Sequence, residues 1–340
     1  MKLTTITKIL SLEAIPNADK IEKAKILGYD CVVMKGLHKV GDSIIFIFPD
    51  TEVPKSLLDK DYVGEERVRV KTVKLRGQFS AGIVLPISIL APVPPQAWQE
   101  GQDVAELIGV TKWEIPASAA LSADALGTFP AHLISKTDED NYLSFPEALA
   151  ELKEERFKGQ ELVATLKMDG ASGTYLIDPE TNEFQICSRN LRLKPTGTRF
   201  EIAQKYKIED CIRASGKNLA IQCEIFGPKI NGGKVGNKQN EANIFLIKDL
   251  DQNRWFSWDE MVEFCRESNY LVAVPEIFRI RAEDVNFEEL QNLSDQVKYP
   301  NGGLAEGVVL RTVNPISSNA LQKWWWSVKI INRIYDSKKG

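Results

Sequence analysis

A lysine stands where an apolar segment ends and an Asp-Gly turn begins: Lys167 is followed by Met168, Asp169 and Gly170. A lysine amine can act as a nucleophile when its surroundings favour the uncharged form. From average amino-acid usage, Lys-x-Asp-Gly arises by chance in roughly one chain in ten of this length. By itself the pattern therefore favours an exposed lysine before a hairpin turn.

Three further charged residues interrupt apolar segments that are typical of β-strands. Glu224 lies inside one such segment, Glu306 comes at the start of another, and Lys329 lies inside a third. A buried charge is costly unless it is paired or bound to a charged group. We therefore expect these three residues and Lys167 to share one polar site.

The segments that carry these residues predict a domain of mixed helix and strand. Strand-like runs occur at 161–166, 173–177, 183–187, 219–226, 244–249, 307–312 and 326–331. Apolar spacing predicts a helix at 257–267, and a second helix is expected at 148–157, with Ser144 as its candidate N-cap. This mixture favours an α+β domain with antiparallel sheets.

The first ~85 residues predict a small β-barrel. Short β-rich segments at 32–34, 43–48 and 68–75 are separated by Pro, Gly, Asn and Asp turn signals. Within 68–75 the alternation of apolar and basic residues slips near Lys71 and Thr72, which predicts a β-bulge. A short helix is expected at 103–109, and Pro- and Ala-rich stretches before residue 131 predict a linker.

Composition argues against several classes of protein. The 340 residues carry 43 basic and 47 acidic side chains, a net charge of −4, which disfavours coating nucleic acid through bulk charge but allows local basic surfaces. No segment approaches the roughly 20 apolar residues of a membrane span, and no signal peptide is recognisable. Five scattered cysteines favour reduced thiols in a cytoplasmic protein without a disulfide-linked partner, and two histidines argue against a His-based metal site.

Five motifs follow one another along the chain: KMDG at 167–170, SRN at 188–190, EIFG at 224–227, EGVV at 306–309 and VKIIN at 328–332. Together they resemble the motifs of the covalent nucleotidyltransferases, which include ATP-dependent RNA and DNA ligases and mRNA-capping enzymes. The segments KTVKLRGQFS at 71–80 and SKTDE at 135–139 are similar to those of nick-sealing RNA ligases with an N-terminal OB domain. The resemblance implies an OB-type β-barrel over 1–112, a linker over 113–131 and an adenylyltransferase domain on antiparallel sheets over 132–340.

The resemblance implies a three-step reaction that joins a 5′-phosphate to a 3′-hydroxyl. Lys167 would attack the α-phosphorus of ATP, release pyrophosphate and carry AMP as a phosphoramidate. The AMP would pass to the 5′-phosphate of a nicked duplex, and an RNA-like 3′-hydroxyl end would then displace it. Lys329 would contact the α-phosphate. Its charge, or a bound Mg²⁺, is expected to favour the neutral, nucleophilic amine of Lys167.

The resemblance also implies a role for the other motif residues. Asp169 would order the loop of the nucleophile, and Arg189 would contact the ribose or the incoming 5′-phosphate. Glu224 would bind a ribose hydroxyl and lie near the metal, while Glu306 would hold Mg²⁺ or Mn²⁺ through water. Phe245 would stack on adenine, although an ordinary core aromatic residue is an equally good interpretation.

Basic residues within ten positions predict a nucleic-acid-binding surface on the N-terminal domain: Arg67, Arg69, Lys71, Lys74 and Arg76. A solvated strand face is the ordinary interpretation of such a run. Beside a ligase domain, an OB surface that binds phosphates is favoured. Three adjacent tryptophans at 324–326 could stack on bases, although at least one is expected in the core because strand neighbours alternate between faces.

Two departures from the family pattern accompany the resemblance. Leu166 replaces the glutamate that often precedes the nucleophile, and Ser327 replaces the first lysine of the last motif. One alternative is a DNA ligase or an mRNA-capping guanylyltransferase, both of which usually carry an OB fold after the last motif. The other alternative is a nucleic-acid-binding adaptor whose catalytic half is inactive.

Overall fold

The computed structural model describes residues 2–59, 61–90, 98–113 and 123–338. These residues divide into two compact units. The first unit takes the described residues of 1–116 together with 143–146 and 333–340, and the second takes those of 117–142 and 147–332. The linker over 113–131 stays a prediction, because residues 114–122 lie outside the described part.

The strands up to residue 112 are β1 (Thr4–Lys8), β2 (Ser11–Ala14), β3 (Ile21–Ile26), β4 (Tyr29–Met34), β5 (Ser43–Ile47), β6 (Thr51–Pro54), β7 (Arg67–Val70), β8 (Val73–Leu75), β9 (Gln78–Ser80), β10 (Ile83–Pro86) and β11 (Thr111–Lys112). The strands that follow are β12 (Ala125–Thr128), β13 (Asp140–Asn141), β14 (Glu161–Lys167), β15 (Ala171–Ile177), β16 (Phe184–Cys187), β17 (Leu191–Leu193), β18 (Leu219–Phe226), β19 (Glu241–Asp249), β20 (Arg254–Trp255), β21 (Glu276–Arg281), β22 (Gly307–Thr312) and β23 (Ser327–Ile331). The α-helices are α1 (Pro146–Glu151), α2 (Gly197–Lys205), α3 (Ile208–Ala214), α4 (Trp258–Ser268), α5 (Phe287–Ser294) and α6 (Arg333–Lys338). Short 3₁₀ helices occur at Lys55–Leu57, Ile87–Leu90, Tyr142–Ser144, Glu155–Phe157, Asn231–Gly233 and Ala282–Asp284.

The first unit is built from small antiparallel sheets around strand β5. The strand orders are β1-β5-β10, β2-β3-β4 and β11-β6-β7, and β8 pairs with β9 as a hairpin. Successive side chains of β5 alternate between two apolar clusters: Ile45 and Ile47 pack in one, Ile44 and Phe46 in the other. Because both faces of β5 are buried after Ser43, its sequence is apolar from Ile44 to Ile47.

Two local predictions for this unit are wrong. The segment 68–75 is not one bulged strand, because β7 ends at Val70 and β8 starts at Val73 in a different sheet. Residues 103–109 form turns instead of a helix. The Asp103 carboxylate accepts the backbone N–H of Ala105, and such a local bond competes with helix formation in so short a segment.

The second unit contains two sheets, and the prediction of an α+β fold on antiparallel sheets is confirmed. The strand orders are β12-β17-β16-β15-β18-β19-β20 and β13-β23-β22-β14-β21. Neighbouring strands are antiparallel except for the short parallel pair of β13 and β23. Residues 168–170 carry the chain directly from β14 in the five-stranded sheet to β15 in the seven-stranded sheet. The candidate nucleophile therefore lies at the junction of the two sheets.

Helices in this unit differ in how well the sequence predicts them. Helix α4 begins with a capping box, in which Ser257 and Glu260 exchange side-chain and backbone hydrogen bonds. The helix expected at 148–157 is instead the shorter α1 followed by a 3₁₀ turn. At least one of the three adjacent tryptophans lies in the core, as expected: Trp325 and Trp326 are buried, whereas Trp324 is 79% exposed. All three precede β23, so this division does not come from strand alternation.

Two further observations concern membranes and cysteines. None of the helices within the described ranges combines the length and apolar character needed to cross a bilayer. All five cysteines are free thiols with buried side chains.

Candidate active site

The end of β14 places Lys167 against an acid. Lys167 lies opposite Gly307 in the β14–β22 ladder, and its Nζ donates a hydrogen bond to Glu306 Oε2 over 2.6 Å. Strict strand alternation would direct Glu306 to the other face, but Gly307 has a φ of +144° and redirects the chain just before β22. A Cβ at Gly307 would lie only 2.2 Å from the carbonyl oxygen of Ile330. Glycine at this position thus permits the ion pair.

The seven-stranded sheet supplies the second acid through a close backbone contact. Glu224 lies in β18 opposite Ser172, and the N–H of Gly170 hydrogen-bonds its carboxylate. A Cβ at Gly170 would lie 2.3 Å from the carbonyl oxygen of Ile225 and 2.9 Å from Cγ of Glu224. The Asp-Gly turn is therefore required for the close approach of the two sheets, not only for chain reversal.

The acids determine the charge of the Lys167 amine. Burial alone lowers the pKa of Lys167, but the charges of Glu306, Glu224 and Asp169 and the hydrogen bond to Glu306 together raise the pKa above its usual value. The acids of the site therefore favour the protonated amine, and the expectation that Lys329 or a bound Mg²⁺ favours the neutral form stays a prediction. Burial, opposed by Lys167 and reinforced by Glu306, raises the pKa of Glu224 to about 7.

Lys329 lies on the same sheet face as Lys167. In the ladder Lys329 is opposite Val309, and Val309 is opposite Thr165, two positions before Lys167. Directly paired residues and every second residue along a strand share one face. The two lysines thus lie two strands apart on one face, as a shared phosphate site requires.

A loop after β18 holds the turn that follows Lys167. Asp169 is buried, and its carboxylate accepts a hydrogen bond from Asn231 Nδ2 over 2.9 Å. The same amide donates to the carbonyl oxygen of Gly170 over 2.6 Å, and Nζ of Lys234 lies 3.6 Å from the Asp169 carboxylate. Sequence analysis missed Asn231 and Lys234. Its only signal at this place was the Asn-Gly-Gly turn, which reveals a bend but not a binding partner.

Arg189 and its neighbour connect the SRN motif at 188–190 to the SKTDE segment at 135–139. Its guanidinium forms an ion pair with Asp138 over 2.5 Å, and Lys136 Nζ donates to the side chain of the adjacent Asn190 over 2.7 Å. The buried Nε of Arg189 has no hydrogen-bond partner among the described residues. A buried, unsatisfied donor of this kind suits an anionic ligand.

Phe245 is half-buried at an irregular point of strand β19. Gln222 pairs with Leu246 and Cys223 pairs with Ile244, so that Phe245 is the extra residue of a β-bulge. Its carbonyl oxygen accepts a hydrogen bond from the buried Arg311. Because bulges reorient side chains, this position suits either stacking on a base or partial packing in the core.

Known families and structures match both halves of the chain. Residues 160–325 match the family model described as RNA ligase, and residues 3–87 match one described as an OB-fold domain. Both matches support an RNA ligase with an N-terminal OB-fold domain. Structures of the Naegleria gruberi RNA ligase cover 99% of this chain: a mutant with AMP and Mn (28% identity, 99% of that chain, TM-score 0.85), a mutant with ATP and Mn (28%, 99%, 0.84) and the ligase with PPi (29%, 98%, 0.82). Comparison with curated proteins gave no match.

These matches confirm the prediction of an RNA ligase with an N-terminal OB-fold domain. In the ligase, however, the five basic residues between 67 and 76 that were predicted to bind nucleic acid do not share one strand face. Arg67 donates to the carbonyl oxygens of Glu52 and Gly109, and Arg69 pairs with Asp50 over 2.8 Å.

Arg69 also lies over the ring of Trp113, with Cζ 3.5 Å from the ring centroid. Lys71 is partly buried between β7 and β8, whereas Lys74 and Arg76 are exposed on the β8–β9 hairpin. Strand β7 ends at Val70, so these groups lie on different strands, and nucleic-acid binding by the five residues stays a prediction. The two hairpin residues remain the most accessible candidates for binding phosphates.

Three carboxyl groups of the ligase site suit a divalent cation. Asp169, Glu224 and Glu306 contribute them beside the ammonium groups of Lys167 and Lys234, with Lys329 on the same sheet face as Lys167. Carboxylate oxygens are the ligands that Mg²⁺ and Mn²⁺ prefer. Within the described ranges, no three His, Cys, Asp or Glu side chains converge into a ready-made metal site. The acids fit a cation that also binds water and phosphate.

Proposed function

We propose that this RNA ligase uses ATP and a divalent cation to seal nicks between a 5′-phosphate and an RNA-like 3′-hydroxyl, with AMP carried on Lys167. The observation that carries the proposal is the Lys167 amine, which ends a buried strand and meets Glu306 over 2.6 Å within the field of Glu224. Support also comes from the Naegleria gruberi ligase structures with ATP or AMP and Mn.

The first step forms a bond between Lys167 Nζ and the α-phosphorus of ATP and breaks the bond to the β-phosphate oxygen, so that pyrophosphate leaves. The amine must lose its proton first, although the surrounding acids raise its pKa. A divalent cation, when bound, supplies positive charge that offsets these carboxylates and the phosphates. Lys329, on the same sheet face, would neutralise charge that develops on the α-phosphate.

The other motif residues would bind the nucleotide and the nick. Glu224 would accept a hydrogen bond from a ribose hydroxyl, and the half-buried Phe245 would stack on adenine. Arg189, with its unsatisfied Nε, would contact the ribose or the 5′-phosphate. Glu306 would hold the cation through water, and Asp169 would keep the nucleophile turn in place through Asn231.

The partner in this proposal is a nicked duplex with an RNA-like 3′-hydroxyl end. The exposed Lys74 and Arg76 would contact its phosphates, while Arg67, Arg69 and Lys71 would add charge from beside them. A cytoplasmic location belongs to the same proposal, because five free cysteines suit a reducing compartment.

A sealing assay on four nicks, with RNA or DNA on either side of the break, tests the proposal. We expect wild-type protein with ATP and Mg²⁺ to seal nicks whose 3′-hydroxyl strand is RNA, and Lys167→Ala to seal none. Lys158→Ala is the matched control, because Lys158 is an exposed lysine in the same unit. Sealing by Lys167→Ala at the wild-type rate would refute the proposal. Nick binding without any sealing by wild type would favour the adaptor, and labelling by GTP instead of ATP would favour a guanylyltransferase.

A further inference from the structure

One buried hydroxyl connects the nucleophile segment to the segment of its acid. Tyr299 precedes β22 and is 2% exposed. Its hydroxyl donates to the carbonyl oxygen of Lys167 over 3.2 Å. It accepts the backbone N–H of Asp169 over 3.0 Å and that of Glu306 over 3.2 Å. One donor and two acceptor sites are all that a phenol offers, so its bonding capacity is fully used.

The Tyr299 hydroxyl lies beside the last residue pair of the β14–β22 ladder. The last pair of β14 and β22 is Lys167 with Gly307, and the next residues diverge as the chain turns toward β15. Without Tyr299, the N–H groups of Asp169 and Glu306 would lose their partner in the interior, where unpaired amides are costly. Tyr299 therefore extends the ladder by one further link beyond its last backbone pair.

The hydroxyl also keeps its proton under working conditions. Burial raises the pKa of Tyr299 to about 12, and the nearby charges of Glu306 and Asp169 act in the same direction. The donor bond to Lys167 thus persists at neutral and mildly alkaline pH.

We propose that Tyr299 is a positioning residue for adenylyl transfer, which fixes the backbone of Lys167 relative to that of Glu306 and so aims the amine. This inference rests on the proposed function of Lys167. Small displacements of a reacting group can slow a reaction by about a hundredfold, and loss of three convergent bonds would allow such a displacement.

The test compares Tyr299→Phe with Tyr206→Phe in single-turnover adenylylation at saturating ATP. Tyr206 is the matched control, because it is buried and its hydroxyl accepts the N–H of Ala242 over 3.2 Å. We expect Tyr299→Phe to lower the maximal rate by about tenfold to a hundredfold with unchanged half-saturating ATP. Tyr206→Phe should match wild type in both respects.

The outcomes separate this inference from the function on which it rests. Failure of wild type to gain AMP would refute the proposed function. Normal wild-type labelling with an unchanged maximal rate in Tyr299→Phe would overturn the role of Tyr299 alone. If Tyr299→Phe does not fold, hydrogen exchange of wild type decides: the amides of Asp169 and Glu306 should be protected like ladder amides, and rapid exchange of both would overturn the inference.

Discussion

Replacing Glu224 by Gln should flatten the pH dependence of the ligase's stability in the mildly acidic range. Burial, opposed by Lys167 and reinforced by Glu306, raises the pKa of Glu224 from 4.5 to about 7. The folded protein therefore binds this proton more tightly than the unfolded chain, and stability falls as the pH rises through that window. At about 1.4 kcal/mol per pH unit, the loss is at most about 3 kcal/mol. Because Glu224 is only half-buried, solvent screens its charge, and we expect a loss of stability of about 1–2 kcal/mol.

Urea unfolding at pH 5 and pH 8 measures this effect. The free energy of unfolding of Glu224→Gln minus that of wild type should be about 1–2 kcal/mol higher at pH 8 than at pH 5. The variant is thus more stable, relative to wild type, at the higher pH. Lys167 stays protonated at both values, because its pKa is raised, so it adds no titration of its own to the comparison. Glu180→Gln, at an exposed position, is the control and should show no pH-dependent difference. An equal difference between Glu224→Gln and wild type at both pH values would refute the reasoning.

Two further substitutions test the packing and the nucleic-acid surface. Gly170→Ala should destabilise the protein by about 1–3 kcal/mol and slow adenylylation, because the new Cβ would meet the carbonyl oxygen of Ile225. Gly127→Ala is the control, because its Cβ would meet open space. This variant should resemble wild type in unfolding and labelling assays. The double variant Lys74→Ala and Arg76→Ala should bind the nick more weakly but still gain AMP. The slope of log binding constant against log salt concentration should become shallower by about 1–2. Unchanged nick affinity would contradict a role for the hairpin.

The sequence predicted best those elements that local patterns determine. The predicted bounds 219–226 and 307–312 agree with β18 and β22, because both runs are mostly apolar and rich in β-forming residues. The helix predicted at 257–267 from apolar spacing likewise agrees with α4 to within one residue at each end. The segment 68–75 could not be predicted, because its division between two sheets depends on partners distant in the chain.

The site was predictable where charges interrupt apolar strands, as at Lys167, Glu224 and Glu306. Tyr299 and Asn231 were missed because a polar residue in a turn is ordinary, and only the fold brings its side chain to the nucleophile. The number of carboxylates around the Lys167 amine could not be predicted for the same reason, since it is a property of the folded site.

The most direct test of the account is to locate AMP on the protein. Wild-type ligase is incubated with ATP and Mg²⁺, its intact mass is measured, and the modified peptide is sequenced by tandem mass spectrometry. The account predicts a single AMP on Lys167, removed when pyrophosphate is added, and none on Lys167→Ala. AMP on another residue, or equal labelling of the two proteins, would contradict it.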